Sequence, residues 1–378
     1  MKADVVVIGG GVTGASTAYH LAAAGAEVVL VERHDLNTQA SGRNAGGLHG
    51  QIQLEPFLEH GEAWAREWGP SLRLMQSAIR YWQELERDLD ADLEVNVSGG
   101  LIVAADDDQL RDLERKSAVE RSFGVETELL DRDGLRDVAP YVSARMAGGL
   151  FCPLEGRANP LLAAPALARA ASARGATLLP RTVVHTLERI PGGRFRLSTG
   201  AGPIDCDRVV DCAGAEAGDV AALAGAAFEV QRWPLMVSAT EPAPPLVEHL
   251  VYFAGGRLTL KQARRGTILI GGGWEAKLDD ATGRLATDFP GLAENLRLAV
   301  EVVPGVAGSS LLRTWQGVCP GLPDERPAIG ELLPGFVVAV FPFIGFTCGP
   351  YLGRVAARLA LGAEPETDLS PFEPARLL

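Results

Sequence analysis

The sequence predicts an α/β fold in which a parallel sheet wound with helices is joined to a second unit rich in antiparallel strands. Three observations predict it. The chain opens on an apolar run, Val5 to Ile8, that passes through glycines into an alanine-rich helix and out into a second run, Val28 to Val31. That is the strand–helix–strand order of a parallel sheet buried on both faces. Another buried strand entering a glycine turn recurs at Asp207 to Gly214. Between Ala227 and Trp274 the segments QRWPLMVSAT, HLVYFAGGRLTLKQA and GTILIGGGW are separated by proline- or glycine-rich turns, as in an antiparallel sheet.

The elements follow in order. The first helix runs from Ala15 to Ala24 and stops at Gly25. Pro70 to Leu89 and Asp106 to Phe123 carry apolar residues at spacings of three and four among charges, the pattern of amphipathic surface helices. Pro160 to Arg174 is helical, and the glycine-punctuated stretch after it reads as several short strands. Phe336 to Phe341 is a strand; a last helix beginning near Pro350 places Leu352, Val355, Ala356 and Leu359 on one side.

Composition narrows the function. The 378 residues, 47% apolar and 22% charged, suffice for two domains with a large core. A net charge of -13 without a basic patch argues against nucleic acid or an anionic bilayer as partner. Leu332 to Gly353 carries no charge, but Pro334, Pro342, Gly345 and Pro350 break it, so it reads as strand, loop and helix start rather than a transmembrane segment. The first apolar run is too short for a signal peptide, which predicts a cytoplasmic protein. Cys152, Cys206, Cys212, Cys319 and Cys348 form no CxxC pair and have no histidine at ligand spacing. They read as reduced thiols without a metal, so an iron–sulfur centre, if used, belongs to a partner.

The motifs carry the chemistry. Gly9, Gly11 and Gly14 fit G-x-G-x-x-G between strand and helix, with Val12 and Thr13 offering N–H groups at the helix start. Gly9 allows the tight turn, Gly11 lets backbone approach a pyrophosphate, and Gly14 permits close helix–sheet packing. Glu32, at the end of the second strand, is placed to accept the hydroxyls of an adenosine ribose. This fingerprint does not separate NAD from FAD. Arg33 and the loop QASGRNAGG, with Ser41, Arg43, Asn44, Ala45 and Gly46, favour FAD, because a nicotinamide enzyme has no need of a second ligand loop.

In order along the chain, GGGVTG with Glu32-Arg33, SGRNAGG, TVVHTLE, DRVVDCAGAEA, RTWQGVCPGLPDERPAIG and FPFIGFTCGPYLGRVAARLA resemble the FAD-dependent amino-acid oxidoreductases. That family includes glycine oxidase, D-amino-acid dehydrogenase and the sarcosine oxidase β subunit, and the resemblance covers nearly the whole chain. It implies a Rossmann-like FAD-binding domain, residues 1–48, 149–225 and 320–378, and a discontinuous antiparallel-sheet substrate domain, residues 49–148 and 226–319. It implies that Val184 meets adenine through its backbone and that Cys212, Ala213 and Gly214 form a second flavin-binding turn. The backbone N–H groups of Gly345, Phe346 and Thr347 would stabilise charge developing around flavin N1 and the C2 carbonyl.

The implied reaction is oxidation of a CH–NH bond by hydride transfer to flavin N5, with an amino acid or imino acid as substrate: a D-amino acid, sarcosine, proline, hydroxyproline or an opine. His49 follows the ligand loop and Gln51 and Gln53 follow it in turn, so these are expected near the flavin or substrate. Simpler relatives hold the carboxylate with an arginine where Cys319 stands here, and a thiol cannot replace a guanidinium fork. Lys261, Arg313 and Arg43 are the alternative anchors. The pattern is similar to catalytic subunits of hetero-oligomeric dehydrogenases, which pass electrons to an iron–sulfur or second-flavin (FMN) subunit, with Glu241 to Phe253 as a docking edge. A stand-alone oxidase using dioxygen and a non-catalytic flavin-bearing scaffold remain open beside it.

Overall fold

Val5, Val6, Val7 and Ile8 are all buried, and the two faces of their strand explain why four apolar residues in a row are needed. Val5 and Val7 pack into one core cluster with Val12, Leu30 and Val337, while Val6 and Ile8 pack into another with Val29, Phe195 and Phe336. The computed structural model describes residues 1–279, 282 and 284–378. Its first sheet has the order Ala328–Leu333, Phe336–Val340, Gly202–Asp211, Lys2–Ile8, Val28–Val31, Thr177–Leu179. The strand Lys2–Ile8 is parallel to both of its neighbours, and Phe336–Val340 is parallel to Gly202–Asp211. Arg194–Thr199 and Val184–Ile190 extend this sheet as an antiparallel pair.

The helix Val12–Ala23 covers one face together with Ala163–Ala173 and Gly345–Ala360. The last of these starts at Gly345, five residues before Pro350, where sequence alone had put its beginning. A Cβ on Gly349 would stand 2.4 Å from Val12 Cγ1, and one on Gly353 would stand 2.5 Å from both Ser16 Cβ and Thr13 O. Only glycine lets the two helices approach this closely. Ser16 Oγ fastens them by donating to Pro350 O at 2.6 Å.

The second sheet has the order Leu311–Gly321, Gln231–Pro242, Thr267–Gly271, Gly256–Gln262, Leu250–Phe253, Gly100–Ala104, Gly148–Cys152, Glu128–Asp131. It is antiparallel except where Leu250–Phe253 runs parallel to Gly100–Ala104, which is the seam between its two stretches of chain. Gly148–Cys152 pairs in this sheet on both sides, so residues 149–152, expected in the cofactor-binding domain, belong to the second sheet rather than the first. The segment Glu241 to Phe253, expected as a docking edge, is corrected in its C-terminal part. Leu250–Phe253 is an interior strand, wholly buried and paired on both sides, and has no free backbone edge for a partner. No helix among the described residues is long and apolar enough to cross a membrane.

Candidate active site

The glycine turn closes a cavity of about 370 Å³ at the C-terminal ends of the first-sheet strands. Gly9 has φ +113, and a Cβ there would lie 2.4 Å from Cys212 O; a Cβ on Gly14 would lie 1.9 Å from Gly9 O. These two glycines are therefore demanded by the protein's own backbone. Gly11 differs, because its nearest neighbour is the end of a side chain, Ser41 Oγ, at 2.8 Å. That hydroxyl accepts from Val12 N at 3.0 Å, occupying a helix-start N–H that an anion would otherwise take.

Glu32 is held in place by two backbone donors, Gly10 N to Oε2 at 2.6 Å and His34 N to Oε1 at 2.7 Å. Gly9, Gly11, Glu32, Arg33 and Ser41 line this cavity on one side, and Val184, Cys212, Ala213 and Gly214 on the other. Arg33 is paired with Glu216 across the cavity rim. Asp211, just before the second turn, is fully buried: Oδ1 accepts from Ala213 N at 2.9 Å, and Oδ2 has no partner among the described residues. Burial pushes its carboxyl well above the usual range.

The loop Gln39–Gly47 divides two cavities. Gln39, Ala40 and Ser41 face the first; Gly42, Arg43, Asn44 and Ala45 face a second, of about 740 Å³, whose opposite wall is the second sheet. Lys261 and Arg313 project from that wall. Lys261 is only 2% exposed, and among the described residues nothing hydrogen-bonds or ion-pairs its ammonium. Burial, and then the charge of Arg157, lowers its pKa to about 7. Arg313 is exposed, with its guanidinium 4.8 Å from the centre of the Trp315 ring. Cys319 has no charge to offer, since burial raises its thiol to about 11.

His49, Gln51, Gly345, Phe346 and Thr347 line neither cavity. The N–H groups of Gly345, Phe346 and Thr347 form the first turn of the last helix and have no intrahelical acceptor. The Thr347 side chain is committed to structure: Oγ1 accepts from His49 N at 3.0 Å and donates to Gly47 O at 3.2 Å. The indole of Trp82 holds Thr347 O at 2.8 Å.

Behind His49 lies a buried polar chain that no motif announces. His49 Nδ1 is 2.7 Å from Tyr252 Oη, which donates to Glu155 Oε1 at 3.1 Å. Glu155 also accepts from Gly50 N at 2.6 Å, Gln51 N at 3.1 Å and Gln51 Nε2 at 2.9 Å. Gln51 Oε1 takes Lys116 Nζ at 3.2 Å, and Lys116 pairs with Glu120 at 2.7 Å. Burial raises Glu155 to about 7, and burial followed by the nearby Lys261 charge lowers His49 to about 3, so the imidazole is neutral. Gln51 therefore acts inside this chain rather than at the cavity wall.

With both cavities described, comparison with known proteins decides the family. The family model described as FAD dependent oxidoreductase matches residues 4–359. The chain belongs to that family. It is 25% identical to sarcosine oxidase subunit beta of Rhizobium meliloti, covering 98% of this chain and 87% of that one. It is 26% identical to glycine oxidase of Geobacillus kaustophilus, with 98% and 96% covered. The solved L-proline dehydrogenase of P. horikoshii superposes with a TM-score of 0.87 at 25% identity, covering 99% and 97%. The enzyme is thus an FAD-dependent oxidoreductase, and the glycine cradle fits that cofactor: Gly9, Gly11 and Glu32 line one cavity at the start of the helix Val12–Ala23.

Proposed function

We propose that the enzyme oxidises the CH–NH bond of a small amino acid or secondary amine. The observation that carries this reading is the two-cavity arrangement around the loop Gln39–Gly47, with a buried, unpaired cation, Lys261, facing the side away from the glycine cradle. In this reading Gly9, Gly11, Thr13 and Gly14 receive the diphosphate, with Val12 N joining them once the Ser41 hydroxyl turns away from it, Glu32 receives the ribose, and Val184 with Cys212, Ala213 and Gly214 the adenine side. Asn44, Ala45 and Gly46 approach the ring end. FAD supplies the two-electron acceptor that turns the amine into an imine, which water then hydrolyses.

The chain's own residues bind and orient. Lys261 takes a substrate carboxylate, with Arg313 or Arg43 as a second donor, and so fixes which C–H faces the flavin. The N–H groups of Gly345, Phe346 and Thr347, which have no acceptor within their helix, sit at the positive end of a helix sixteen residues long and would stabilise negative charge on a flavin ring held beside them. His49, held neutral, and Gln51 keep the loop in register through Glu155.

Its relatives include a protein named as a subunit, and the reading extends to this chain as the catalytic subunit of a hetero-oligomeric dehydrogenase that hands electrons to a partner. We place it in the cytoplasm, where its unpaired cysteines stay reduced. The test is an anaerobic panel of D-amino acids, N-methyl amino acids, cyclic imino acids and opines, scored by bleaching of the flavin, followed by admission of air. Bleaching with slow reoxidation supports the dehydrogenase. Peroxide formed as fast as the flavin is reduced establishes an oxidase instead, and no bleaching by any amine removes the reading.

A further inference from the structure

We infer that the substrate carries two carboxylates, one on each side of the reacting nitrogen, as in an iminodiacid or an N-(carboxyalkyl) amino acid. This rests on the amine-oxidising reading above and narrows it. In a chain of net charge -13, the larger cavity gathers five cationic side chains, Arg43, Arg157, Lys261, Arg264 and Arg313, and a single carboxylate, Glu94.

The partners of each cation show how much charge is left over. Arg264 is neutralised by Asp92, with Nη2 to Oδ1 at 3.0 Å. The other four form no ion pair among the described residues, although the carboxylates of Glu94 and Glu248 act on Arg157 from farther off. Arg43 donates Nε to Thr38 O at 2.7 Å and Nη1 to Gln316 O at 3.2 Å, both uncharged carbonyls. Arg157 reaches only Glu248 O, at 3.3 Å. Arg313 lies over Trp315, and Lys261 is bare. Glu94 offsets one charge and is itself engaged by Asn159 Nδ2 at 3.2 Å. With Lys261 close to half-protonated at pH 7, between two and three positive charges remain in one cavity.

Like charges gathered against an apolar wall repel and lose hydration, so the arrangement favours an anionic occupant. FAD does not provide it there: its phosphate charges belong with the glycine cradle of the smaller cavity, and its oxidised ring is neutral. A monocarboxylic amine in the reactive, unprotonated form brings one negative charge. A dicarboxylic one brings two.

The cations also fall into two groups. Lys261 and Arg313 stand three strands apart in one cross-strand row, Lys261 opposite Leu269, Leu269 opposite Ala239 and Ala239 opposite Arg313, and the charge of Arg157 falls on the lysine end. Arg313 and Arg43 form the outer group, joined through one indole: Trp315 lies beneath Arg313 and donates Nε1 to Arg43 O at 2.7 Å. Two separated donor groups match two separated carboxylates better than one carboxylate held by four cations.

The experiment pairs catalysis with a binding measurement on the holoenzyme. Iminodiacetate and sarcosine differ by one carboxylate, and the inference expects anaerobic flavin reduction by iminodiacetate at a kcat/KM at least about 100-fold higher at pH 7, as for a pair of charge-assisted bonds. The variant Arg313→Gln should reduce that value at least about tenfold for iminodiacetate and less than about threefold for sarcosine. Calorimetric titration with the inert pair glutarate and butyrate should show the same preference without any chemistry. Equal or better turnover of sarcosine, or an equal loss on both substrates in the variant, overturns the inference while leaving amine oxidation intact. If no amine bleaches the flavin yet glutarate binds tightly and butyrate does not, the amine reading fails and the two-carboxylate site stands.

Discussion

Tyr252 Oη donates to Glu155 Oε1 at 3.1 Å while lying 2.7 Å from His49 Nδ1, so one phenol ties a fully buried carboxyl to the imidazole that follows the ligand loop. Burial raises Glu155 to about 7, above its value in the unfolded chain. The native state therefore holds the proton more tightly. The associated stabilisation is complete below the ordinary carboxyl range and is lost as pH rises through about 7. Asp211, raised for the same reason, acts in the same direction.

Glu155→Gln keeps the shape and removes one of these titrations. We expect the fall in Tm between about pH 5 and 8 to be shallower in this variant, and its stability at low pH to drop by about 1–3 kcal/mol, because an amide N–H then faces donors that the carboxyl accepted. Thermal unfolding of the holoenzyme across that range measures both. An unchanged slope would assign the titration to Asp211 alone.

Gly11 and Gly14 belong to one motif but answer to different neighbours. A Cβ at Gly14 meets the backbone oxygen of Gly9 at 1.9 Å, whereas one at Gly11 meets only Ser41 Oγ, which can turn away. Gly14→Ala should therefore destabilise the apoprotein, and Gly11→Val should fold normally but purify without flavin. Circular dichroism with the absorbance ratio of flavin to protein separates the two. A folded Gly11→Val protein with stoichiometric FAD would remove the diphosphate from this turn.

Local signals made the first sheet readable. Val5 to Ile8, the glycine turn and Val28 to Val31 announce themselves through apolar runs and punctuation, and the structure pairs them as the sequence implies. The buried chain behind His49 was not readable, because its residues come from four distant segments. Lys116 and Glu120 look like an exposed i,i+4 pair on an amphipathic helix, yet both have no exposure, since that helix turns them toward Gln51. Glu155 is a lone acid after a strand, and only the folded register brings Gly50 and Tyr252 to it. Arg157 and Arg264 were missed at the cavity for the same reason. The start of the last helix was misplaced because Pro350 suggests a first turn, while the helix accommodates it after five residues.

The contact between the first and last helices sets the spacing of both helix starts. A Cβ on Gly353 would lie 2.5 Å from Ser16 Cβ and from the backbone oxygen of Thr13, which cannot rotate away. Gly353→Ala should cost about 1–3 kcal/mol by overpacking, read from urea unfolding of the apoprotein. Because Val12 and Gly345 move with these helices, FAD affinity should fall as well. A variant with wild-type stability would show that the helices separate without cost.

Lys261 ties affinity and stability to pH with opposite signs. Its pKa is lowered to about 7, first by burial and then by Arg157. Between that value and the ordinary lysine range the native state binds fewer protons than the unfolded chain, so this residue makes stability rise with pH above about 7. Carboxylate binding needs the ammonium, so over the same interval the Kd of a simple probe such as acetate should climb, approaching tenfold per pH unit, after a plateau below about 7. Lys261→Met should bind acetate weakly at every pH and lose the inflection; Lys261→Arg should bind it without the inflection, because a guanidinium does not titrate there. Calorimetry from about pH 6 to 9, with Tm recorded on the same samples, reads both curves. If acetate affinity in Lys261→Met follows the wild-type curve, the carboxylate is held by Arg313 or Arg43 instead.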